Sequence, residues 1–469
     1  MESSSYDVKI WETRKMQRKK GATYNVRWKV GTEAQSKTFP TKALADSYRS
    51  ELRSAVNRGE AFSLASGTPV SWDKKEEVSW YAFVCAYLDE HWKNVSANHR
   101  KDRARILTDA TEALWKKEAG KPNGDLLRTA LQRWSYNTEH RDSECPPEIE
   151  ATIHWIEQNT VDLRALESPS VVRAVLARVS QKKDGTPVAA ASAVKAKRVL
   201  SHALDHAVEC GYLQDNPLSR VKWKAPRVNR ELDRTSVPNP HQVRSLVDAI
   251  AAQKPSGPRL KAFFSTLYLT GLRPEEAVNL KWRDVHLQRR SWDTQDQKWC
   301  DPAPSEDWGD IVVREVAPDV GKRWTDSGRQ RDRRQPKGRA ENETRPVPCP
   351  PQLSRILRQH RDEFGEGPDG LVFFGIHGHQ LATCVYRLAW NRARREVFTE
   401  SQQEGPLARV PYDLRRACVS TWLNEGISPA QVAAWAGHSQ EVLLRVYAKC
   451  IDGNEERDKR RGASGFEGF

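Results

Sequence analysis

No apolar run in this chain approaches the roughly twenty residues that a bilayer-spanning helix needs; the longest, 80–88, has nine residues, and others such as 432–436 are shorter. The opening MESSSYDVKIWE does not read as a secretory leader. The eight cysteines, at 85, 145, 210, 300, 349, 384, 418 and 450, are widely spaced and form no C-x-x-C pair. Neither a zinc ribbon nor a redox dithiol is signalled, and the thiols are expected to stay reduced in the cytoplasm. There is no Walker phosphate-binding motif and no carboxylate cluster suited to a two-metal nuclease. No internal repeat is evident. Membrane and secreted proteins are thereby disfavoured, and no metal or cofactor is expected.

What is present is length and positive charge. At roughly 100–200 residues per domain, 469 residues suggest two to four domains, and a 38% hydrophobic composition supplies real cores. Seventy-six basic residues against 62 acidic ones leave a net charge of +14. An excess of that size points to a polyanionic partner, most often nucleic acid, while a merely basic enzyme is the alternative.

The chain reads as mainly α and multidomain. Residues 1–70 hold 13 basic and 7 acidic residues. Alternation at 6–11 and 23–30, with a third strand near 37–39, predicts a small three-stranded sheet followed by a helix over 41–58, and 14–21 reads as a basic turn. Such a sheet has a face able to lie in a DNA groove, or a simply solvated one. The Gly, Pro and Ser at 63–72 suggest a linker. Residues 71–218 read as a helical bundle, with Ser79 and Ser96 preceding helices and a last helix over 189–209. The segment 219–237 starts with five basic residues and no acidic one up to 230, so Arg220, Lys222 and Lys224 are candidates to follow a phosphate backbone. Residues 238–452 form a mostly helical α/β region with a β-rich stretch near 308–348, and 453–469 read as a flexible tail. The G-x-G-x-x-G at 365–370 follows a helical pattern and so is no dinucleotide site, and His377 with His379 lacks further ligands.

Three segments carry chemistry. In TGLRPEEAVNLKW (270–282), a helix closes at Gly271 and Pro274 opens another. Arg273 then sits at a helix N-terminus that already favours an anion, with Glu276 in reach to orient it. A plain capping turn with a surface arginine fits equally well. In YDLRRACVSTWLNEGI (412–427), Asp413 is placed to cap a helix whose buried stripe is Leu414, Ala417, Cys418 and Thr421. Arg415 and Arg416 fall in its first turn, where the helix dipole disfavours cations unless an anion is bound. In the third, Ser428 and Gln431 suggest a capping box, Gly437 closes the helix, and His438 occupies the turn before the helix at 441–450 that carries Tyr447. Taken alone, Tyr447 reads as a core aromatic.

Together with WAGHSQEVLLRVYAKC (435–450), these segments resemble the tyrosine recombinases, the phage and integrative-element integrases, in order and close to their spacing. The resemblance covers roughly half the chain, 238–452. It implies a helical core-binding domain at 71–218 and an arm-type DNA-binding module at 1–70. By it, Arg273 and Arg415 match the phosphate-clamping arginines, His438 the position that hydrogen-bonds the scissile phosphate, and Tyr447 the nucleophile. The family's hairpin lysine corresponds best to Lys337. The implied reaction cleaves and rejoins DNA through a 3′-phosphotyrosine. Its partners are double-stranded attachment sites, a homotetramer assembled through a Holliday junction, and an excisionase-type directionality factor.

One position departs from the pattern. The family most often has His three residues before its second arginine, and Tyr412 stands there. With a pKa near 10, a tyrosine is a poor base at neutral pH, and it places a second tyrosine close to the site. Two rival readings share the fold: a type IB topoisomerase, and a DNA-binding regulator without catalysis.

Overall fold

The computed structural model describes residues 4–18, 21–72, 77–228, 231–293, 308–336 and 343–447, together with Gln295, residues 297–300, Lys459 and Ala463. Lys337 and, apart from Lys459 and Ala463, the tail assigned to 453–469 lie outside the described residues. Mainly helical, the chain divides into two compact units, 1–95 with 102–226 and 96–101 with 227–469.

The first unit opens with β1 (Ser4–Ser5), β2 (Val8–Ile10), β3 (Arg14–Arg18), β4 (Gly21–Val30), β5 (Glu33–Phe39), α1 (Lys42–Asn57) and β6 (Phe62–Ser63). Strand β4 is the axis of the sheet. Along one edge it pairs with β2 (Val8 opposite Val30) and then with β3 (Arg14 opposite Asn25); along the other it pairs with β5. The sheet has four strands where three were expected, because the supposed basic turn at 14–21 is strand β3 and the start of β4. Basic side chains do not prevent strand pairing when they project from an exposed edge. Alternate residues Val26, Trp28 and Val30 are buried against Ala45, Leu52 and Ala55 of α1. The proposed linker at 63–72 also packs on this module. Val70 N–H donates to Ala61 O at 2.8 Å, and Trp72 lies edge-on to Tyr48 with ring centres 5.5 Å apart.

The helices that follow are α2 (Trp80–His91), α3 (Ala97–Thr111), α4 (Gly124–Ala130), α5 (Pro147–Asn159), α6 (Pro169–Val179) and α7 (Ala190–Glu209). Ser79 caps α2 by accepting from Ala82 N–H at 3.2 Å, and Trp80, Phe83, Val84 and Tyr87 are buried at helical spacing. Ser96 immediately precedes α3, and its backbone carbonyl accepts the first turn.

The second unit comprises α8 (Pro240–Ala251), α9 (Gly257–Thr270), α10 (Pro274–Ala277), β7 (Val285–His286), β8 (Ser291–Asp293), β9 (Lys298–Cys300), β10 (Gly309–Val313), β11 (Arg345–Cys349), α11 (Pro351–Phe364), α12 (Thr383–Val397), α13 (Glu400–Glu404), α14 (Asp413–Asn424), α15 (Pro429–Ala436) and α16 (Gln440–Tyr447). Helix α9 is the core element. Its Phe263 meets Phe373 and its Phe264 stacks on Trp390 of α12 at 5.4 Å. Strands β7, β10 and β11 form an antiparallel sheet in the order β11-β10-β7. A second apolar cluster joins α14, α15 and α16 through Val419, Trp422, Val432, Ala436, Leu443 and Tyr447.

Candidate active site

Helix α9 ends at Gly271, whose φ of +61° is left-handed, and Arg273 follows in an extended conformation at the N-terminus of α10. Glu276, three residues on, meets Arg273 twice. Its Oε2 accepts from the Arg273 backbone N–H and its Oε1 from Nη1, both at 2.8 Å. This is the orienting contact expected of Glu276.

Glu276 is fully buried and serves a second arginine that no motif in the sequence singles out. Arg345 Nη2 donates to Glu276 Oε2 at 2.7 Å, and its Nη1 donates to Ala436 O at 3.1 Å. A signal for it existed: in β11 the alternation places Arg345 on the inward face with Val347 and Cys349. An inward charge on a strand calls for a partner. Burial would raise the Glu276 carboxyl, but the guanidiniums of Arg345, Arg273 and Arg415 outweigh it and hold it at about 2.

Arg415 is completely buried. Its Nη1 donates to Gly271 O, and its Nη2 donates to Ala436 O at 2.6 Å and to His438 Nε2 at 2.8 Å. The two carbonyls belong to the C-terminal ends of α9 and α15, where a cation is favoured. The side chain thus escapes the unfavourable start of its own helix. Asp413, expected as the forward cap of α14, instead turns back: its Oδ2 accepts from Val410 N–H at 2.9 Å and its Oδ1 from Arg416 at 2.7 Å. The cap position is Tyr412, which has helical backbone angles and makes no capping bond. Ser428 accepts from Gln431 N–H at 3.3 Å, which is one half of the expected capping box.

His438 follows Gly437, which closes α15 with φ +64°. A Cβ on Gly437 would lie 2.1 Å from Arg345 Nη1, so glycine is required by conformation and by space. Because His438 Nε2 accepts from Arg415, the ring is neutral with its proton on Nδ1. Burial and the adjacent arginines push it down to about 3. Three N–H groups at this site are buried without a hydrogen-bond partner among the described residues: Arg345 Nε, Arg415 Nε and His438 Nδ1. The deficit has one sign. All three are donors, so each lacks an acceptor.

The two tyrosines differ. The Tyr447 ring lies 6.4 Å from that of His438 and is buried in the α14–α16 cluster, and burial raises its hydroxyl far above the ordinary value. Tyr412 is half-buried, with its ring 6.0 Å from Arg415 Cζ and 5.6 Å from Arg416 Cζ. It lines an open cleft of about 540 Å³ with Arg273, Tyr386 and Arg387. Arg273, Glu276, Tyr412, Arg415, His438 and Tyr447 are therefore brought together from segments far apart in sequence. Arg220, Lys222 and Lys224 belong to the first unit and are exposed, with Arg220 Nε paired to Asp215 at 3.2 Å. Among the described residues, no helix is long and apolar enough to cross a membrane.

Residues 237–300 match the phage integrase family. A protein described as "Tyrosine recombinase XerC-like" from Caldanaerobacter subterraneus subsp. tengcongensis is 24% identical over 266 residues, covering 53% of this chain and 59% of that relative. Among solved structures, the Tn1549 transposon integrase in complex with transposon right end DNA aligns with 73% of this chain and 99% of its own, at 16% identity and TM-score 0.45. A lambda integrase tetramer bound to a Holliday junction aligns with 91% of this chain and 95% of its own, at 13% identity and TM-score 0.46.

Proposed function

We propose that this chain, a tyrosine recombinase of the phage integrase family, is a site-specific DNA integrase that cuts and rejoins strands at attachment sites. The supporting observation is the convergence of Arg273, Arg345 and Arg415 on one buried carboxylate, with donors left over for an anion. A scissile phosphate is the anion this reading assigns. In the proposed reaction the Tyr447 hydroxyl gives its proton to water as its oxygen bonds to phosphorus and the P–O5′ bond breaks, giving a 3′-phosphotyrosine and a free 5′-hydroxyl. Arg273, Arg415 and His438 stabilise the charge that develops on the non-bridging oxygens. The departing 5′-oxygen takes up a proton, for which Lys337 is the proposed donor. Rejoining reverses these steps with a new 5′-hydroxyl, and the phosphotyrosine conserves the bond without ATP. Because Tyr447 is buried, attack requires α16 to release it toward the arginines.

In the same reading, 1–70 binds arm-type sites, 71–218 embraces the core site, 219–237 follows the backbone through Arg220, Lys222 and Lys224, and 238–452 catalyses. Four copies exchange strands through a Holliday junction, and a separate directionality factor decides between integration and excision.

The test is a nicked suicide substrate bearing the attachment core. The expected result is a covalent adduct whose DNA-linked peptide contains Tyr447, abolished by Tyr447→Phe. Linkage through Tyr412 would reassign the nucleophile. Binding without any adduct would favour the regulator, and relaxation of a supercoiled plasmid by a monomer would favour the topoisomerase.

A further inference from the structure

The first unit holds a second cluster of ionisable side chains, unused by the proposed reaction. The last turn of α2 carries Glu90 and His91. Facing them, His202, His206 and Cys210 follow at intervals of four along and just beyond α7, on one helix face. The His91 ring centre is 5.0 Å from those of both His202 and His206.

Ordinary core packing does not account for how these rings are arranged. His91 Nε2 is buried with no hydrogen-bond partner among the described residues, which is unfavourable unless a further group meets it. His206 is oriented from both sides. Its Nδ1 lies 3.7 Å from Glu209 Oε2, and its Nε2 lies 3.4 Å from Glu90 Oε2 and 3.4 Å from Cys210 Sγ. Carboxylates therefore stand beside both ring nitrogens, Glu90 on the Nε2 side and Glu209 on the Nδ1 side. A tetrahedral zinc ion, about 2.0–2.1 Å from each nitrogen or oxygen, sets ligand atoms roughly 3.3 Å apart. The Glu90–His206 spacing of 3.4 Å is close to that separation. One ligand atom from each of Glu90, His91 and His206 lies within 4.8 Å of the other two. His202 is engaged elsewhere, its Nδ1 2.9 Å from the Tyr87 hydroxyl.

We propose that Glu90, His91 and His206 bind a divalent cation of the zinc class, with Cys210, whose Sγ lies 3.4 Å from His206 Nε2, the candidate for a fourth ligand. The ion ties the end of α2 to the end of α7 and so braces the helical bundle. Glu90 is largely exposed, which gives the ion a path of entry.

The experiment strips the full-length chain with a chelator and titrates it with zinc chloride, then with cobalt chloride. One tightly bound equivalent is expected, with a rise in Tm on zinc addition and the intense visible bands of tetrahedral cobalt. A sulfur charge-transfer band lost in Cys210→Ser would identify the fourth ligand. Affinity should fall at least tenfold in His206→Ala and in Glu90→Gln, and stay unchanged when His377 and His379 are both replaced by Ala. Failure of the wild-type chain to take up either metal overturns the proposal. So does an octahedral cobalt spectrum indifferent to Glu90→Gln. Glu90 being exposed, that variant preserves the fold even if His206→Ala does not.

Discussion

Arg415 enters α14 at the end of the helix where a cation is disfavoured, yet its guanidinium reaches carbonyls at the ends of α9 and α15. This is how a local conflict in the sequence becomes a site in the fold. Gly437 is held by the same arrangement. Gly437→Ala should cost the roughly 1–2 kcal/mol of a left-handed alanine plus the displacement of Arg345. Gly185→Ala, at φ +79° with nothing within 4 Å of a Cβ, should cost only the first, and urea unfolding of the two variants checks the difference. His438 adds a pH dependence. Its folded value of about 3 lies below the ordinary 6.5, so between those values only the unfolded chain takes up this proton. Its contribution to stability is present above about pH 6.5 and is lost as pH falls toward 3. His438→Asn should therefore flatten the stability profile between pH 7 and pH 5 relative to the unmodified chain, measured by urea unfolding at each pH.

Among the elements, the amino-terminal sheet and α14 show what periodicity conveys and what it does not. Strand β4 was legible because Val26, Trp28 and Val30 alternate with polar residues. Strand β3 was not, because its residues 14–17 are exposed on an edge and offer no buried face to reveal their period. The register places Lys9, Arg14, Arg27 and Lys29 on the face of the sheet away from α1. If that face binds DNA, replacing all four by alanine should weaken binding and reduce the salt slope by about 0.9 for each phosphate no longer neutralised, with little change in Tm. A fluorescence anisotropy titration over a range of salt reads both. In α14 Leu414, Ala417 and Cys418 of the expected stripe are buried and Thr421 only partly, while Arg415, Val419 and Trp422 are buried as well. The helix is surrounded by α9 and α15, which no single-helix pattern discloses.

For the whole molecule, the division into two units has a thermal consequence. Each unit has its own core, so scanning calorimetry should resolve more than one transition. Glu276→Gln leaves Arg273 and Arg345 without their shared carboxylate. Breaking a buried pair in this way costs about 3–5 kcal/mol, and the variant should lower only the transition belonging to 227–469.

Most of the helices and the motif residues follow from the order of residues alone. The cap at Ser79, the helix start at Pro274, the glycine closures at 271 and 437, and the succession of Arg273, Arg415, His438 and Tyr447 are local features, set by backbone sterics and side-chain period. Which of these groups share charge was settled by packing between distant segments. Glu276 bridging Arg273 to Arg345, the burial of Tyr447 while Tyr412 faces a cleft, and the meeting of Glu90 and His91 with His206 all depend on helices packed at long range. Electrostatic coupling falls with distance and grows with burial, and neither quantity is set until the chain has folded.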